Sequence, residues 1–133
     1  MKSQMVVDKK KEIVIATSFC NGKKHDFRLF KESKTAVHPK INILTDSGYL
    51  GIAKIHQSSS QPKKKSKKKP LTKQDKKANA ELSSRRVLNE HVISRIKKFR
   101  IVGDRYRNRR KRFGLRFNLI CGVYNYEQKQ GAL

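Results

Sequence analysis

The first twenty residues contain two short apolar runs with a charged turn between them. Met5–Val7 and Ile13–Ile15 are rich in residues that favour strands, and the polar segment Asp8–Lys11 separates them. This pattern predicts a β-hairpin with strands over 4–8 and 12–18.

A short helix and a third strand are predicted next along the chain. His25–Ser33 follows a glycine-containing break, and its aromatic positions recur at helical spacing, with Asp26 as the expected N-cap. Ile41–Thr45 predicts the third strand. Asp46 closes this strand, and the following glycine turn would expose its side chain at the rim of a sheet.

The second half of the chain changes to a helical pattern. Thr72 and Asp75 have the spacing of a capping box, which predicts a long helix that runs to about Lys98. A second helix is expected after Gly103, with Asp104 as its cap. Its apolar stripe recurs at positions i, i+4, i+7 and i+11: Phe113, Phe117, Ile120 and Tyr124.

The segment between these halves is almost free of apolar residues. Residues 57–73 contain Ser58–Ser60, two prolines and the run Lys63–Lys69, so they predict a flexible linker between a sheet portion, 1–56, and a helical portion, 74–133. The lysine run is either an arm that contacts phosphates or a solvated insertion. Blocks of basic residues commonly bind polyanions, which favours the arm.

Charge and composition narrow the class of partner. The 133 residues carry a formal net charge of +24, which is best explained by the phosphates of nucleic acid. No apolar run approaches the roughly 18 residues of a membrane span, and the first residues, Met1–Met5, do not have the apolar core of a signal peptide. Cys20 and Cys121 form neither a disulfide framework nor a zinc motif. This cysteine usage is typical of a protein of the reducing cytosol.

One predicted helix has charged residues on one side and apolar residues on the other, an arrangement that indicates a binding or catalytic role for the charged side. Arg86, Glu90 and Lys97 fall within about 40° of one another around a helix, and the opposite side is apolar through Leu88, Val92, Ile96 and Phe99. A carboxylate between two cations can hold a metal ion while the cations hold phosphate. The alternative is a row of surface ion pairs.

Asp46 and Glu90 are the candidate metal ligands. Carboxylate oxygens suit Mg²⁺ or Mn²⁺, and a pair of such ions can promote in-line phosphoryl transfer. Two acids alone are a weak signal, because most aspartates and glutamates are simply solvated.

The local sequences around these acids resemble the DDE transposases of bacterial insertion sequences, in the branch related to the Harbinger transposases. His25–Phe30 is similar to the short helix of that family, and Leu44–Tyr49 to its second catalytic aspartate with the following Gly-Tyr. Arg86, Glu90 and Lys97 match its arginine, glutamate and lysine spacing. The tail Arg105–Asn125 resembles its basic closing helix.

The resemblance implies an α/β fold like that of ribonuclease H, in an incomplete form, and a role in metal-dependent DNA cleavage and strand transfer. It also implies a cytoplasmic, nucleoid-associated protein of a bacterium. Asp46 and Glu90 would be the second and third metal-binding acids, and Arg86 and Lys97 would contact DNA phosphates. The basic segment would also bind double-stranded DNA, through Arg105, Arg107, Arg109, Arg110, Lys111 and Arg112.

The sequence departs from the family pattern at two points. A tyrosine of the related signature is replaced by Ser83, and no residue takes the place of the first catalytic aspartate, because Asp8 belongs to the hairpin turn. We therefore expect the C-terminal part of a catalytic domain, inactive alone, from a split gene or a decayed remnant. Its expected partners are DNA and either an N-terminal transposase half or further copies of itself.

Two other functions share the positive charge. A non-enzymatic DNA-binding protein that regulates transposition would not need the missing acid. A ribosomal-type RNA-binding protein would leave the sequence contexts of Asp46 and Glu90 unexplained.

Overall fold

The computed structural model describes residues 1–103 and 110–131. Two sets of residues cluster by contact: Met1–His25 with Leu88–Leu133, here called the hairpin unit, and Asp26–Val87, here called the middle unit. The regular elements are β1 (Lys2–Asp8), β2 (Ile13–Cys20), α1 (Asp26–Glu32), β3 (Ile43–Leu44), β4 (Ser59–Ser60), α2 (Lys73–Lys97), α3 (Arg100–Gly103) and α4 (Phe113–Gly131), with 3₁₀ turns at Ile52–Lys54 and Arg110–Arg112.

The predicted hairpin is confirmed. β1 and β2 pair antiparallel from Lys2 opposite Cys20 to Asp8 opposite Ile13, with an irregularity between Val6 and Val7. The Asp8 side chain closes the turn, because its Oδ1 accepts hydrogen bonds from two successive backbone N–H groups of the turn lysines, at 2.8 and 3.2 Å.

The hairpin packs on α4 through an aromatic core. The ring of Phe19 meets those of Phe113 and Phe117 edge-on, at centroid distances of 5.6 and 5.2 Å. Gly114 permits this approach, since a Cβ there would lie 3.2 Å from the Phe19 ring. The buried residues of this core are Val14, Val92, Ile96, Phe113, Phe117, Cys121 and Tyr124.

Three hydrogen bonds from two side chains of α4 fix β2 and the preceding Glu12. The Asn125 side chain accepts a hydrogen bond from the Val14 backbone N–H and donates one to the Val14 carbonyl, each at 2.8 Å. The Tyr124 hydroxyl donates to the Glu12 carbonyl, also at 2.8 Å. The Asn125 amide thus bonds to β2 as a neighbouring strand would.

The long helix and its capping box are confirmed. The Asp75 N–H donates to the Thr72 hydroxyl at 3.1 Å, and the Thr72 N–H donates to the Asp75 carboxylate at 3.3 Å. α2 then runs to Lys97, and Val92 and Ile96 are buried as predicted. Phe99 lies beyond the helix end and is exposed.

The apolar stripe of the last helix is also confirmed. Phe113, Phe117 and Tyr124 are buried in α4, with Ile120 packed beside them. The predicted cap Asp104 lies outside the described residues, and Arg110–Arg112 form a 3₁₀ turn before α4. Cys121 is buried within the stripe, and this burial raises the pKa of its thiol to about 11.

The middle unit contains the predicted short helix and strand in reduced form. Leu29 of α1 is buried, and the rings of Phe27 and Phe30 each contact Tyr49 at a centroid distance of 6.3 Å. The strand predicted over 41–45 is only two residues long and pairs in parallel with β4. β4 consists of two serines within the predicted linker, where composition gave no sign of a strand.

These elements confirm the mixed α/β class. The described part of the chain holds two small two-stranded sheets and the long helices α2 and α4. Within residues 1–103 and 110–131, no helix is both long and apolar enough to cross a membrane.

Candidate metal-binding carboxylates and nucleic-acid interface

Asp46 lies in a tight turn just after β3. Its Oδ1 accepts a hydrogen bond from the Gly48 N–H at 2.7 Å, and its carbonyl accepts one from the Tyr49 N–H at 3.3 Å. A Cβ at position 48 would lie 2.9 Å from the same Oδ1. Glycine therefore allows the carboxylate to fold onto the turn, which fixes its direction.

α2 positions the second acid together with its two flanking cations. Arg86, Glu90 and Lys97 all belong to this one continuous helix, so they form a row about 16 Å long on one side of it. Glu90 and Lys97 are exposed, whereas Arg86 is half-buried. Because Val92 and Ile96 are buried on the opposite side, packing fixes the rotation of this part of the helix about its axis.

Lys97 stands next to an apolar surface at the end of α2. It lines a cavity of about 220 Å³. The other lining residues are Ser3, Met5, Ile93, Ile96, Val102 and Phe117. A lysine stem can pack on such a surface while its ammonium group stays in water, which restricts the stem without neutralising the charge.

The two candidate acids belong to different units of the fold. Asp46 lies in the middle unit and Glu90 in the hairpin unit. Among residues 1–103 and 110–131 there is no group of three or more histidine, cysteine, aspartate or glutamate side chains that could hold a metal ion. The carboxylates are of the right chemical type for a divalent cation, but the described residues do not assemble a complete ligand set.

Only part of the predicted DNA-binding tail lies within the residues that the structure describes. Arg105, Arg107 and Arg109 lie outside the described residues. The backbone of Arg110 begins a 3₁₀ turn, and Lys111 and Arg112 in that turn are exposed.

Sequence reasoning missed a set of polar contacts at the start of the lysine run. The side chain of Asn79 in α2 bonds to both the backbone N–H and the carbonyl of Lys63, at 2.9 and 3.0 Å. The Lys63 ammonium also pairs with Asp75 at 2.7 Å. No local sequence pattern predicts these contacts, since the partners are 12 and 16 residues apart.

Comparison with known proteins finds a family model and a relative that this chain matches. Residues 1–125 match the family model described as DDE superfamily endonuclease. The chain is 46% identical over 127 residues to a probable transposase for insertion sequence element IS702 from Microchaete diplosiphon. This match covers 96% of the chain but only 46% of the relative. No solved structure matches the chain.

Proposed function

Since the chain belongs to the DDE superfamily of endonucleases, we propose that it forms part of the catalytic domain of an insertion-sequence transposase. The proposed reaction is hydrolysis of a DNA phosphodiester, followed by attack of the freed 3′-hydroxyl on target DNA. The observation that carries this proposal is the row Arg86, Glu90 and Lys97 along one side of a helix whose other side is buried.

Asp46 and Glu90 are the proposed metal ligands of this chain. Both offer hard carboxylate oxygens, which suit Mg²⁺ or Mn²⁺, and the Gly48 N–H fixes the direction of the Asp46 carboxylate. The ions would supply activation of the attacking oxygen and stabilisation of the leaving oxygen. Among residues 1–103 and 110–131, no group of three or more histidine, cysteine, aspartate or glutamate side chains could hold a metal ion. We therefore propose that the 133 residues alone do not cleave DNA.

Arg86 and Lys97 are the proposed contacts to DNA phosphates beside Glu90. A planar guanidinium can bond two phosphate oxygens at once, while an ammonium acts as a point charge. DNA binding is also proposed for the tail residues, because a basic cluster of this density in the sequence favours a polyanion: Arg105, Arg107, Arg109, Arg110, Lys111 and Arg112.

Cleavage would need further protein. We propose that a third carboxylate comes from an N-terminal transposase half or from a larger assembly that contains this chain, and that the complete sheet is of the ribonuclease H type. The relative is about twice as long as the stretch it shares with this chain, which supports the existence of such a partner sequence in the family.

A binding experiment tests the DNA contacts. The affinity of the 133-residue chain for a short duplex is measured at several salt concentrations, for the parent and for the double variant Arg86→Gln/Lys97→Gln. Each lost phosphate contact should lower the slope of log K against log salt by about 0.9. The control Lys9→Gln/Lys10→Gln removes the same charge from the exposed hairpin turn. Equal slopes for the two double variants would contradict the proposal.

A cleavage experiment tests the acids. A chimera joins this chain to the part of the Microchaete relative that it does not cover, and is assayed for strand cleavage with Mg²⁺. Asp46→Asn and Glu90→Gln should each abolish cleavage while duplex binding is kept. Cleavage at the parent rate by either variant would remove that residue from the proposed ligand set.

A non-enzymatic DNA-binding role is the second candidate. It is favoured by one observation, that the described residues lack a cluster of three metal-binding side chains. A chimera that binds duplex DNA but never cleaves it, even at high Mg²⁺, would support this role. A preference for folded RNA over duplex DNA would instead support an RNA-binding function.

A further inference from the structure

We propose that Lys63–Lys69, here called the lysine loop, is an anchored binding surface for the phosphate backbone of duplex DNA, with Asn79 as its positioning residue. The proposal rests on the proposed function in one respect, that DNA is the substrate. It assigns binding to a segment other than the row on α2 and the basic tail.

The base of the loop is fixed to α2. The Lys63 N–H donates to Asn79 Oδ1 at 2.9 Å, and Asn79 Nδ2 donates to the Lys63 carbonyl at 3.0 Å. The Lys63 ammonium contacts Asp75 at 2.7 Å, and the same carboxylate accepts the Thr72 N–H in the capping box of α2. Three contacts therefore tie one residue of the loop to the first two turns of a helix.

The tip of the loop is a closed turn. The backbone groups of Ser66 and Lys69 bond in both directions, each at 3.3 Å, and the Ser66 hydroxyl accepts the Lys68 N–H at 3.3 Å. Pro62 and Pro70 flank the loop and restrict the backbone at both ends. These constraints lower the entropy that the loop would lose on binding a ligand.

The charge of this segment points to a polyanion. Residues 63–77 contain nine lysines and a single acid, Asp75, and Lys63 already pairs with that acid. The remaining lysines of the segment are exposed: Lys64, Lys65, Lys67, Lys68, Lys69, Lys73, Lys76 and Lys77. Like charges held close together repel one another, and a row of phosphates offsets that repulsion.

The rest of the composition selects the kind of polyanion. Residues 63–77 contain no aromatic side chain, whereas proteins that bind single strands stack bases on aromatic rings. Leu71 is the only bulky apolar residue, so the segment lacks the anchors of a membrane-surface helix. A lysine loop of this kind contacts the backbone of a duplex and carries no sequence preference.

The experiment distinguishes the effect of the loop's positive charge from the effect of its fixed position on α2. The parent 133-residue chain, a fourfold variant (Lys64→Gln, Lys65→Gln, Lys67→Gln, Lys68→Gln) and Asn79→Ala are titrated with a fluorescent duplex at several salt concentrations. The control is Gln74→Ala, an exposed residue of the same helix. Alanine favours helix more than asparagine does, so Asn79→Ala should not unfold α2, which circular dichroism checks.

The fourfold variant should bind at least about tenfold more weakly, with a salt slope lower by roughly 3 to 4, given about 0.9 for each phosphate contact. Asn79→Ala keeps every charge, and should weaken binding about threefold because the loop is no longer held in place. Gln74→Ala should bind like the parent.

Each other outcome overturns a stated claim. A fourfold variant with the parent slope removes the loop from the interface, and Asn79→Ala with parent affinity removes its positioning role. Stronger loop-dependent binding to folded RNA overturns duplex DNA as the partner. If the parent fails to bind DNA, the proposed function fails as well. If the parent binds through Arg86 and Lys97 while the loop variants match it, only the present inference fails.

Discussion

The hairpin unit and the middle unit are stabilised in different ways. The hairpin unit buries a connected set of aromatic and aliphatic side chains around Phe117. The buried apolar residues described in the middle unit are Leu29 and Ile52, and this unit also contains two buried polar atoms without a hydrogen-bond partner, Thr45 Oγ1 and Gln61 Oε1.

The difference teaches where each kind of interaction is useful. Apolar burial fixes α4 and the end of α2, and so orients Glu90 and Lys97. Polar contacts such as the capping box and the Asn79 bridge fix segments that must stay in water because of their charge. A lysine-rich segment cannot be ordered by burial, so hydrogen bonds to a neighbouring helix order it instead.

The largest expected effect comes from removing the central ring of the apolar unit. Phe117→Ala should lower the free energy of unfolding by about 3–5 kcal/mol, because Phe117 is 1% exposed and its loss leaves a cavity. Chemical denaturation measures this change. Leu115→Ala on the same helix is the control, since Leu115 is 74% exposed and should change stability little. Similar losses for both variants would contradict an apolar core at Phe117.

The next effect tests the polar contact inside that apolar unit. Asn125→Ala leaves both the N–H and the carbonyl of Val14 without their partner, which should cost roughly 2 kcal/mol. Asn118→Ala is the control, because Asn118 bonds the Thr17 hydroxyl at an exposed position where water can replace it. Denaturation should show a clearly larger loss for position 125, and equal losses would refute the strand-like role of Asn125.

A smaller effect is expected at the capping box. Thr72→Ala removes the hydroxyl that accepts the Asp75 N–H, and should cost about 1 kcal/mol. Hydrogen exchange should show faster opening of the first turn of α2 with little change at its buried end. Thr72→Ser keeps the hydroxyl and should restore most of the protection, so a serine variant as weak as alanine would argue against capping.

The smallest expected effect is a dependence of the stability of the start of α2 on pH. The hydrogen bond from Lys63, followed by that from the Thr72 N–H, lowers the pKa of Asp75 below its usual value. A carboxyl with a lowered folded-state pKa stabilises the fold at neutral pH, and this contribution is lost as the pH falls through that pKa. NMR should therefore show the start of α2 loosening in acid. Asp75→Asn should remove the acid dependence, and its persistence would assign the effect to another group.

The elements with a strong local pattern were predictable from sequence. The hairpin follows from two apolar runs around a charged turn, α2 from the Thr72–Asp75 spacing, and the buried side of α4 from its repeat. Each pattern lies within a few residues and reflects the geometry of one element.

The missed features depend on partners far along the chain. β4 consists of two serines without apolar alternation, and its pairing is decided by β3. The bonds of Asn125 to Val14 and of Asn79 to Lys63 join residues 111 and 16 positions apart. An asparagine has the same local signature whether it bonds to water or to a distant backbone, so the sequence could not distinguish these roles.

The candidate site was predictable in part. The turn that fixes Asp46 follows from its Asp-Ser-Gly sequence, and the row around Glu90 follows from helical spacing. The metal and DNA roles of these residues stay predictions, because a ligand set depends on how separate segments converge, and periodicity describes only one segment at a time.

The buried Cys121 allows opening of the apolar core to be measured through the rate at which its thiol is chemically modified. Its thiol has a pKa of about 11 and lies in the core on α4, so at neutral pH almost none of it is the reactive thiolate. An alkylating reagent therefore reacts with Cys121 only when the core opens. The rate at which Cys121 is modified, compared with that of the half-buried Cys20, reports how often the hairpin separates from α4, with no added label.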